Sequence, residues 1–367
     1  IAVVSRTGMP GSVVLEAFKV PADVLKLPLE SRIKAARGMM QPVPGDDQNG
    51  SFPENTLASP APISFTEEAT VVLFFLVMLG GPIATMAIGA AVLFFGSWMS
   101  VMIYVATIAF LVLHPLPYKY YGLSKSWFSI AVFRYFSFRI IIEDFQALTT
   151  IPPWVGASPP HGVLPIANIM SILTINLFCR PFVGAGASVV LRSPFLRYMS
   201  LLGGMIDVSA KSMKRGLDGG QCVGIVPDGI AGMFYTDAND EVVLLKNRMG
   251  LAKFALRTGY PIIPAYSIGN TAVFNSWFDS MGVMEMLSRR MKASILLFWG
   301  RWFLPVPRRE RITILVGKPI IVEKKEEEKI TTEDVKEVHA RLLEATEGLF
   351  NKHKAAVGWG HKKIRFI

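Results

Sequence analysis

The sequence predicts an α/β protein with a mixed, largely parallel sheet flanked by helices, preceded by a transmembrane helical hairpin. Two observations predict this class. From about residue 119 onward, short apolar runs alternate with helical patterns, which is typical of a sheet covered by helices on both faces. Before that point, residues 69–118 contain no Asp, Glu, Lys or Arg, which is typical of chain that enters a bilayer.

The chain divides into three regions at these changes of composition. Residues 1–65 are expected to be disordered or weakly ordered, because residues 42–53 are rich in proline, glycine and short polar side chains, as linkers are. A short helix fits within residues 12–40. Residues 66–118 are expected to form a membrane anchor, and residues 119–367 the folded domain.

The charge-free run is 50 residues long, and a helix needs about 20 apolar residues to cross a bilayer core of ~30 Å. The run therefore accommodates two spans, roughly 69–91 and 92–113, or a hairpin that turns near Gly80-Gly81-Pro82 within one leaflet. A buried helix pair of a soluble protein is disfavoured, because such helices carry a polar face. Four basic residues after the run place the next domain in the cytoplasm: Lys119, Lys125, Arg134 and Arg139.

Apolar runs and helical periodicity place the elements of the folded domain. Four runs are typical of buried strands: 222–226, 261–265, 312–316 and 320–322. Helical patterns lie around them: 193–203, 209–218, 246–258, 282–298 and 332–352. The last helix is the clearest, because Thr331 and Asp334 form a capping-box pattern and apolar residues repeat on one face.

The formal net charge is +10, and basic residues cluster around 289–301 and 308–311. No nucleic-acid motif accompanies them, and the apolar run argues against nucleic acid. An anionic membrane surface or a polyanion such as coenzyme A fits this charge better. The two cysteines form no CxxC pair, which favours a reducing compartment and argues against a thiolate metal site.

Three segments carry the residue types that chemistry needs. In Pro159-Pro160-His161-Gly162, two prolines fix the backbone before a histidine, which suits a general base held in one orientation. A structural loop histidine remains the alternative. In Pro227-Asp228-Gly229, a turn follows a predicted strand, where backbone N–H groups can hold a phosphate or an oxyanion. An ordinary Pro-Asp-Gly turn explains that pattern equally well.

The third segment runs from Lys246 to Pro264. Lys246 and Arg248 can reach a phosphate of coenzyme A, and Gly250 lets the following helix lie close to the sheet. The alternative is simply a helix that leads into a buried strand.

The order and spacing of these motifs resemble the diacylglycerol acyltransferase type-2 family. The family's Pro-His-Gly motif is Pro160-His161-Gly162 here, and Gly300-Arg301-Trp302 resembles its late glycine-arginine block. The segment 316–320 and the helix around 332–354 resemble its closing strand and helix. The family pattern RxGFxxxAxxxGxxxVP is matched by Arg248, Gly250, Ala255, Gly259 and Pro264, with two conservative changes, Leu251 for Phe and Ile263 for Val.

This sequence departs from the family pattern in two places. Tyr135-Phe136-Ser137 stands where Tyr-Phe-Pro is usual. The usual Pro-Gly-Gly-x-x-Glu loop carries Asp228 in place of a glycine and Gly232 in place of the glutamate. If the chain turns helical after Pro227, positions 228 and 232 share a face. We therefore hypothesise that Asp228 restores the missing carboxylate one turn earlier.

The resemblance implies a glycerolipid acyltransferase-like fold and acyl-CoA-dependent transfer of a fatty acyl group to diacylglycerol, forming triacylglycerol. His161 and Asp228 are then the catalytic residues. The implied substrate-binding residues are Pro160, Gly162, Pro227, Gly229, Lys246, Arg248, Gly250 and Arg301. Monoacylglycerol or a long-chain alcohol as acceptor, and a non-catalytic lipid-binding relative, remain alternatives. A lysophosphatidate-type enzyme is disfavoured, because its HxxxxD pattern would need an aspartate where Ile166 stands.

The same resemblance implies the molecular setting. No metal or redox cofactor is expected, since acyl-CoA enters as a co-substrate and coenzyme A leaves as a product. The expected partners are acyl-CoA, diacylglycerol and membrane lipids, without nucleic acid, and a homo-oligomer is left open. The expected location is the endoplasmic reticulum membrane or a lipid droplet, with the catalytic domain facing the cytosol.

Overall fold

A computed structural model describes residues 12–21, 23–43, 54–115, 126–178, 181–235, 237, 239–277, 279, 281–291 and 296–367. Strands within these ranges are β1 Val13–Glu16, β2 Gln41–Pro42, β3 Arg139–Ile142, β4 Val155–Ala157, β5 Phe182–Gly186, β6 Ile206–Asp207, β7 Cys222–Ile225, β8 Glu241–Val243, β9 Ile262–Ile268, β10 Asn275–Ser276, β11 Phe298–Trp299, β12 Thr313–Val316 and β13 Ile364–Phe366.

Nine of these strands form one sheet in the order β2-β1-β3-β12-β9-β4-β7-β5-β6. Strand β4 pairs in parallel with β7 on one side and β9 on the other, and β5 and β6 continue the parallel part. Strand β12 is antiparallel to β9, and β1 is antiparallel to β3. The predicted mixed sheet is therefore confirmed. The carboxyl ends of β4, β7 and β9 lie at the same edge.

Helices cover both faces of the sheet, as predicted. Neighbouring residues of β9 point to opposite faces: Ile262 packs in a cluster with Val338 and Leu342, and Ile263 in a cluster with Met170. The described helices are α1 Leu29–Met39, α2 Phe65–Phe95, α3 Trp98–Leu113, α4 Trp127–Tyr135, α5 Phe145–Thr150, α6 Ile166–Phe178, α7 Leu196–Leu202, α8 Ala210–Asp218, α9 Gly250–Thr258, α10 Val283–Met291 and α11 Thr332–His353.

The elements with the strongest local signals lie where the sequence predicts them. The Thr331 hydroxyl accepts a hydrogen bond from the Asp334 N–H, and the Asp334 carboxylate accepts one from the Thr331 N–H, so the capping box of α11 is formed. Of the helix predicted over 282–298, the structure describes Val283–Met291, and β11 begins at Phe298, the last residue of the predicted range. The predicted strand 320–322 is reduced to a single bridge between Ile320 and Ile262.

The N-terminal region differs from the expectation for residues 1–65. Within residues 12–43, β1 joins the main sheet beside β3, and Val13 and Leu15 are buried. The half-buried Glu16 carboxylate accepts a hydrogen bond from Arg139 Nε at 3.0 Å. The strand holds only three consecutive apolar residues, Val13 to Leu15, and so short a run does not mark a strand. Most of the polar stretch 42–53 lies outside the described residues.

Helix α2 runs unbroken through Gly80-Gly81-Pro82, so the turn expected there is not formed. The chain turns instead at Gly96 and Ser97, before α3 begins. Helices α2 and α3 contact each other, because the Tyr104 hydroxyl donates to the Thr85 carbonyl at 2.9 Å. Among the described helices, α2 alone has the length and apolar composition to cross a bilayer.

The first half of α2 packs on the domain and the second half is bare. Val71, Phe75 and Leu79 are buried in the main core, which fixes one face of the helix. After Gly80, most side chains of α2 and α3 are exposed although they are apolar. The large ones are Ile83, Met86, Ile88, Leu93, Phe94, Phe95, Trp98, Met99, Met102, Ile103, Val105, Phe110 and Leu113.

The two ends of this bare helix pair are held by one short segment of the domain. A Cβ placed on Gly81 would lie 2.9 Å from the Phe195 ring, so α2 touches the domain there. Arg197 Nη1 donates to the His114 carbonyl at the end of α3, at 2.8 Å. Gly81, where the bare pair begins, and His114, where it ends, therefore both lie against the segment 195–197 of the domain.

The basic residues that follow the apolar run are only partly described. Lys119 and Lys125 lie outside the described residues. Arg134 forms an ion pair with Glu67 in the first turn of α2, and Arg139 is buried against Glu16. Because both arginines have acidic partners, their positive charge is largely compensated. They therefore support the predicted cytoplasmic side of the domain less strongly than their formal charge indicates.

Candidate active site

The site is assembled at the carboxyl ends of three adjacent parallel strands, where ligands bind in open α/β sheets. The loop after β4 carries His161 and includes a cis peptide bond between Pro159 and Pro160. The loop after β7 carries Asp228, and the loop after β9 carries Asn270. Hydrogen bonds link the loops, which fixes the backbone around the histidine.

Asn270 holds the histidine loop from the β9 side. This asparagine is 1% exposed, and its Nδ2 donates to the carbonyl oxygens of Pro160 at 3.1 Å and His161 at 2.7 Å. Its Oδ1 accepts from the Ala167 N–H at 3.1 Å. Gly162 has φ +59°, and a Cβ there would lie 2.9 Å from the Asn270 carbonyl. Only glycine therefore fits at position 162 without strain.

The half-buried His161 ring has its nitrogens in distinct roles. Nδ1 lies 2.8 Å from the Gly162 carbonyl oxygen. A carbonyl only accepts hydrogen bonds, so in the neutral ring Nδ1 carries the proton and Nε2 the lone pair. No described side chain bonds to Nε2. The histidine is therefore held in the tautomer that a general base needs.

Asp228 lies behind the histidine and is fully buried. Its Oδ2 accepts from the backbone N–H of His161 at 2.8 Å, whereas its Oδ1 has no partner within the described residues. Burial raises the pKa of the Asp228 carboxyl, and the nearby His161 and Arg248 oppose this effect. The contact is with the histidine backbone and not the ring, so its geometry is that of a positioning residue.

Gly232 explains how this carboxylate fits. A Cβ placed on Gly232 would lie 2.2 Å from Asp228 Oδ2, far inside van der Waals contact. The chain is helical at this point, with the Gly232 N–H 3.3 Å from the Asp228 carbonyl. The carboxylate of residue 228 thus fills the space that a side chain at 232 would enter, which supports the hypothesis of a carboxylate moved by one turn.

Arg248 faces the same loop from the other side. Gly229 has φ +57°, and a Cβ there would lie 3.4 Å from Arg248 Nη1. The Arg248 guanidinium has no hydrogen-bond acceptor among the described residues, and burial followed by repulsion from Arg289 lowers its pKa. The Gly229 N–H donates to the Val226 carbonyl at 3.1 Å, so an oxyanion bound by this loop would need other N–H groups near Gly229.

A family model described as diacylglycerol acyltransferase matches residues 91–364 of this chain. The chain belongs to the diacylglycerol acyltransferase family. It is thus a member of a family of acyltransferase enzymes, in agreement with the resemblance that its motifs indicate.

Two human relatives and one solved structure set the degree of similarity. Diacylglycerol O-acyltransferase 2 of Homo sapiens is 29% identical over 258 residues, which cover 64% of this chain and 65% of the relative. The 2-acylglycerol O-acyltransferase 3 of Homo sapiens is 28% identical over 232 residues, 57% of this chain and 67% of the relative. The 1-acyl-sn-glycerophosphate acyltransferase of Thermotoga maritima has 15% identity and a TM-score of 0.39, covering 77% of this chain and 96% of that chain. That last likeness is too weak to transfer a fold or a function.

Three residues that the family resemblance assigns to substrate binding make their described contacts with other parts of the chain than the histidine loop. Lys246 is exposed, and its N–H donates to the Ile367 carbonyl at 3.0 Å. Gly250 begins α9 with open space around it. Arg301 Nη1 lies 2.5 Å from Glu68 Oε1 and 3.2 Å from the Tyr135 hydroxyl. Its guanidinium therefore connects the late glycine-arginine block to the start of α2.

Sequence reasoning missed a buried acidic group beneath the site. Glu241 is 1% exposed and accepts hydrogen bonds from Tyr266 and Thr271, each at 3.0 Å. Burial raises the pKa of Glu241. Since Thr271 follows Asn270, this cluster fixes the loop that holds His161. No local signal marks Glu241. For Asn270 a usable clue exists, because this polar residue follows the buried strand β9 after a single glycine.

Proposed function

We propose that this chain transfers a fatty acyl group from acyl-CoA to the free hydroxyl of diacylglycerol, forming triacylglycerol. The observation that carries the proposal is the contact of His161 Nδ1 with the Gly162 carbonyl at 2.8 Å, which in the neutral ring leaves the lone pair on Nε2, where no described side chain bonds. Membership of the family supports acyl transfer, and the human relatives named for acylglycerol acceptors support the acceptor class.

In the proposed reaction His161 acts first as base and then as acid. Nε2 removes the proton of the acceptor hydroxyl while its oxygen attacks the thioester carbonyl carbon. The tetrahedral intermediate collapses with cleavage of the C–S bond, and Nε2 returns the proton to the sulfur of coenzyme A. A positioned general base of this kind typically contributes roughly 10²–10⁴-fold to the rate.

Arg248 is the proposed partner for negative charge at the site. Its guanidinium has no acceptor among the described residues, so it is free to bind a phosphate of coenzyme A or the oxyanion of the intermediate. The neighbouring Arg289 pairs with Glu285 at 2.6 Å and lies within electrostatic reach of Arg248. Pro160, Gly162, Pro227 and Gly229 shape the same loops.

We further propose that α2 and α3 form a hairpin in the bilayer that enters and leaves by the same face. Strand β1 precedes the pair and β3 follows it, and the two strands are adjacent in one sheet, which supports both ends lying on one side. The arms from Gly81 to Phe95 and from Trp98 to His114 would be about 23 Å and about 26 Å long, short of a full bilayer core of ~30 Å.

This anchor supports a setting at a membrane surface. Diacylglycerol partitions into the bilayer, while the head of acyl-CoA stays in water, so the reacting groups meet at the interface. Location in the endoplasmic reticulum membrane or on a lipid droplet, with the domain in the cytosol, belongs to the same proposal. The acceptor alternative of monoacylglycerol is favoured by the relative named for 2-acylglycerol.

The test is acyl transfer in membranes from a host that makes no neutral lipid. Radiolabelled oleoyl-CoA is supplied with diacylglycerol, monoacylglycerol or hexadecanol, and the products are separated by chromatography. We expect triacylglycerol as the main product, and a loss of roughly 10²–10⁴-fold in His161→Ala.

The matched control is His361→Ala, because His361 is exposed in the C-terminal segment. Its activity should equal that of the unmodified chain. Faster acylation of monoacylglycerol or hexadecanol would overturn diacylglycerol as the acceptor. An amount of product equal to that made by His161→Ala would indicate a non-catalytic lipid-binding protein.

A further inference from the structure

A short loop between β11 and β12 exposes large apolar side chains beside the apolar helix α2. Trp302 is 61% exposed, Phe303 85% and Leu304 42%, although buried positions are usual for such residues. Trp302 and Phe303 both have positive φ, at 55° and 57°, a conformation that bulky residues rarely adopt. The backbone is thus folded so that both aromatic side chains point away from the domain.

Hydrogen bonds on either side hold this loop in a fixed shape. The Gly300 N–H donates to the Leu304 carbonyl at 2.8 Å, and the Arg301 N–H donates to the Val306 carbonyl at 2.8 Å. The Arg301 guanidinium lies 4.3 Å from the centre of the Trp302 ring, and the Phe303 ring stacks on Trp299 at 6.4 Å. The exposed aromatic side chains therefore project from a rigid support.

The loop also has a defined position along α2. Arg301 pairs with Glu68 in the first turn of that helix, and a Cβ placed on Gly80 would lie 3.6 Å from Pro305 Cγ. Gly80 is where the packed half of α2 ends and its bare apolar half begins. The loop thus continues the exposed apolar surface of α2 sideways, at the level where the chain leaves the domain.

Basic residues surround the base of this surface. Arg309 and Arg311 are exposed and donate to the carbonyls of Ala61 and Ala58, in the segment that leads into α2. Arg308 lies beside them and donates to Asn275. Aromatic side chains with arginines behind them fit the boundary between lipid tails and anionic headgroups.

We propose that Trp302, Phe303 and Leu304 insert into the same bilayer leaflet as the anchor and fix the tilt of the domain on the membrane. The inference rests on the proposed bilayer insertion of α2 and α3. The loop is a second contact, separate in sequence, and together with the helix pair it prevents rotation of the domain about the anchor. The occupant of this surface is the lipid bilayer.

The test places a nitroxide spin label at position 303 through Phe303→Cys, in a chain whose Cys179 and Cys222 are replaced by alanine. The protein is reconstituted in nanodiscs of phosphatidylcholine and phosphatidylserine. Electron paramagnetic resonance then compares collision with oxygen, which concentrates in lipid, and with a water-soluble nickel chelate. Phe94→Cys, in the bare half of α2, reports on the anchor, and Ile321→Cys, exposed on the far part of the domain, reports on water.

We expect the labels at 303 and 94 to favour oxygen and the label at 321 to favour nickel. A label at 303 that favours nickel, beside one at 94 that favours oxygen, overturns the loop insertion and leaves the anchor intact. Labels at 94 and 303 that both favour nickel overturn the anchor and the inference with it. Trp302→Cys gives a second reading if the change at 303 prevents folding, and the same two patterns decide it.

Discussion

At the scale of single residues, the site depends on a carboxylate in an enclosed space. Asp228 is completely buried, yet only one of its oxygens has a partner, the N–H of His161. Burying a carboxylate without full pairing disfavours its charged form, and this raises its pKa. Gly232 is needed because any side chain there would collide with Asp228.

The two loop residues should therefore tolerate change only as a pair. We expect Gly232→Ala to lower the free energy of unfolding by about 1–3 kcal/mol, the usual cost of overpacking, and Asp228→Gly to lower activity by releasing the His161 backbone. The double variant Asp228→Gly, Gly232→Glu should recover most of the activity. Denaturant unfolding and acyl-transfer assays measure both effects, and a double variant no better than Asp228→Gly alone would contradict the exchange.

The raised pKa of Asp228 gives a pH dependence with a definite sign. A carboxyl whose pKa is higher in the folded state contributes stability at low pH, and this contribution is lost as the pH rises above the ordinary aspartate value of 3.8 through the raised folded value. Asp228→Asn removes this ionisation and keeps an acceptor for the His161 N–H. Unfolding measured from pH 4 upward should show the advantage of Asp228→Asn growing with pH; a constant difference would refute the ionisation.

At the scale of elements, helix α11 illustrates how strong local signals persist in the fold. Its capping box joins Thr331 and Asp334, and Lys325 adds an ion pair to Asp334 at 2.7 Å, which together lower the pKa of Asp334 to about 2. Thr331→Ala should lower the free energy of unfolding by about 1 kcal/mol. Thr332→Ala is the matched control, since that neighbour makes no cap, and equal losses in the two variants would argue against the box.

Elements with such signals are those that the sequence alone predicts. Helix α11 and strands β7, β9 and β12 combine a clear period or apolar run with breakers. In contrast, β1 has only three consecutive apolar residues and β4 only three residues in all. His161 and Asp228 are recognisable as candidates because each follows a prolyl turn. The hydrogen bonds of Asn270 to the histidine loop depend on β9 lying beside β4. Local patterns along the chain do not reveal which strands are neighbours in the sheet.

At the scale of the whole molecule, the ion pair of Arg301 with Glu68 joins the folded domain to the start of α2, next to the pair of Arg134 with Glu67. Arg301 and Glu68 are about a quarter exposed, at 26% and 29%, so solvent screens their attraction and the pair contributes at most about 1 kcal/mol. Arg301→Gln should lower the thermal unfolding midpoint and leave the KM for acyl-CoA unchanged. Arg248→Gln is the contrast, with a raised KM for acyl-CoA. A raised KM in Arg301→Gln would restore the role that the family resemblance assigns to it.

Strand β1 also determines the order in which the molecule can be completed. It leaves the ribosome before the anchor, whereas its partner β3 follows the anchor, with Glu16 opposite Arg139. The entropic cost of closing a loop of about 120 residues grows only slowly with its length. A delay in the pairing of β1 with β3 therefore comes from the helix pair that lies between the two strands. In the proposed hairpin, β3 keeps an open edge until the helix pair has entered the bilayer and returned the chain to its starting side. Such an edge is the kind of surface on which newly made chains aggregate.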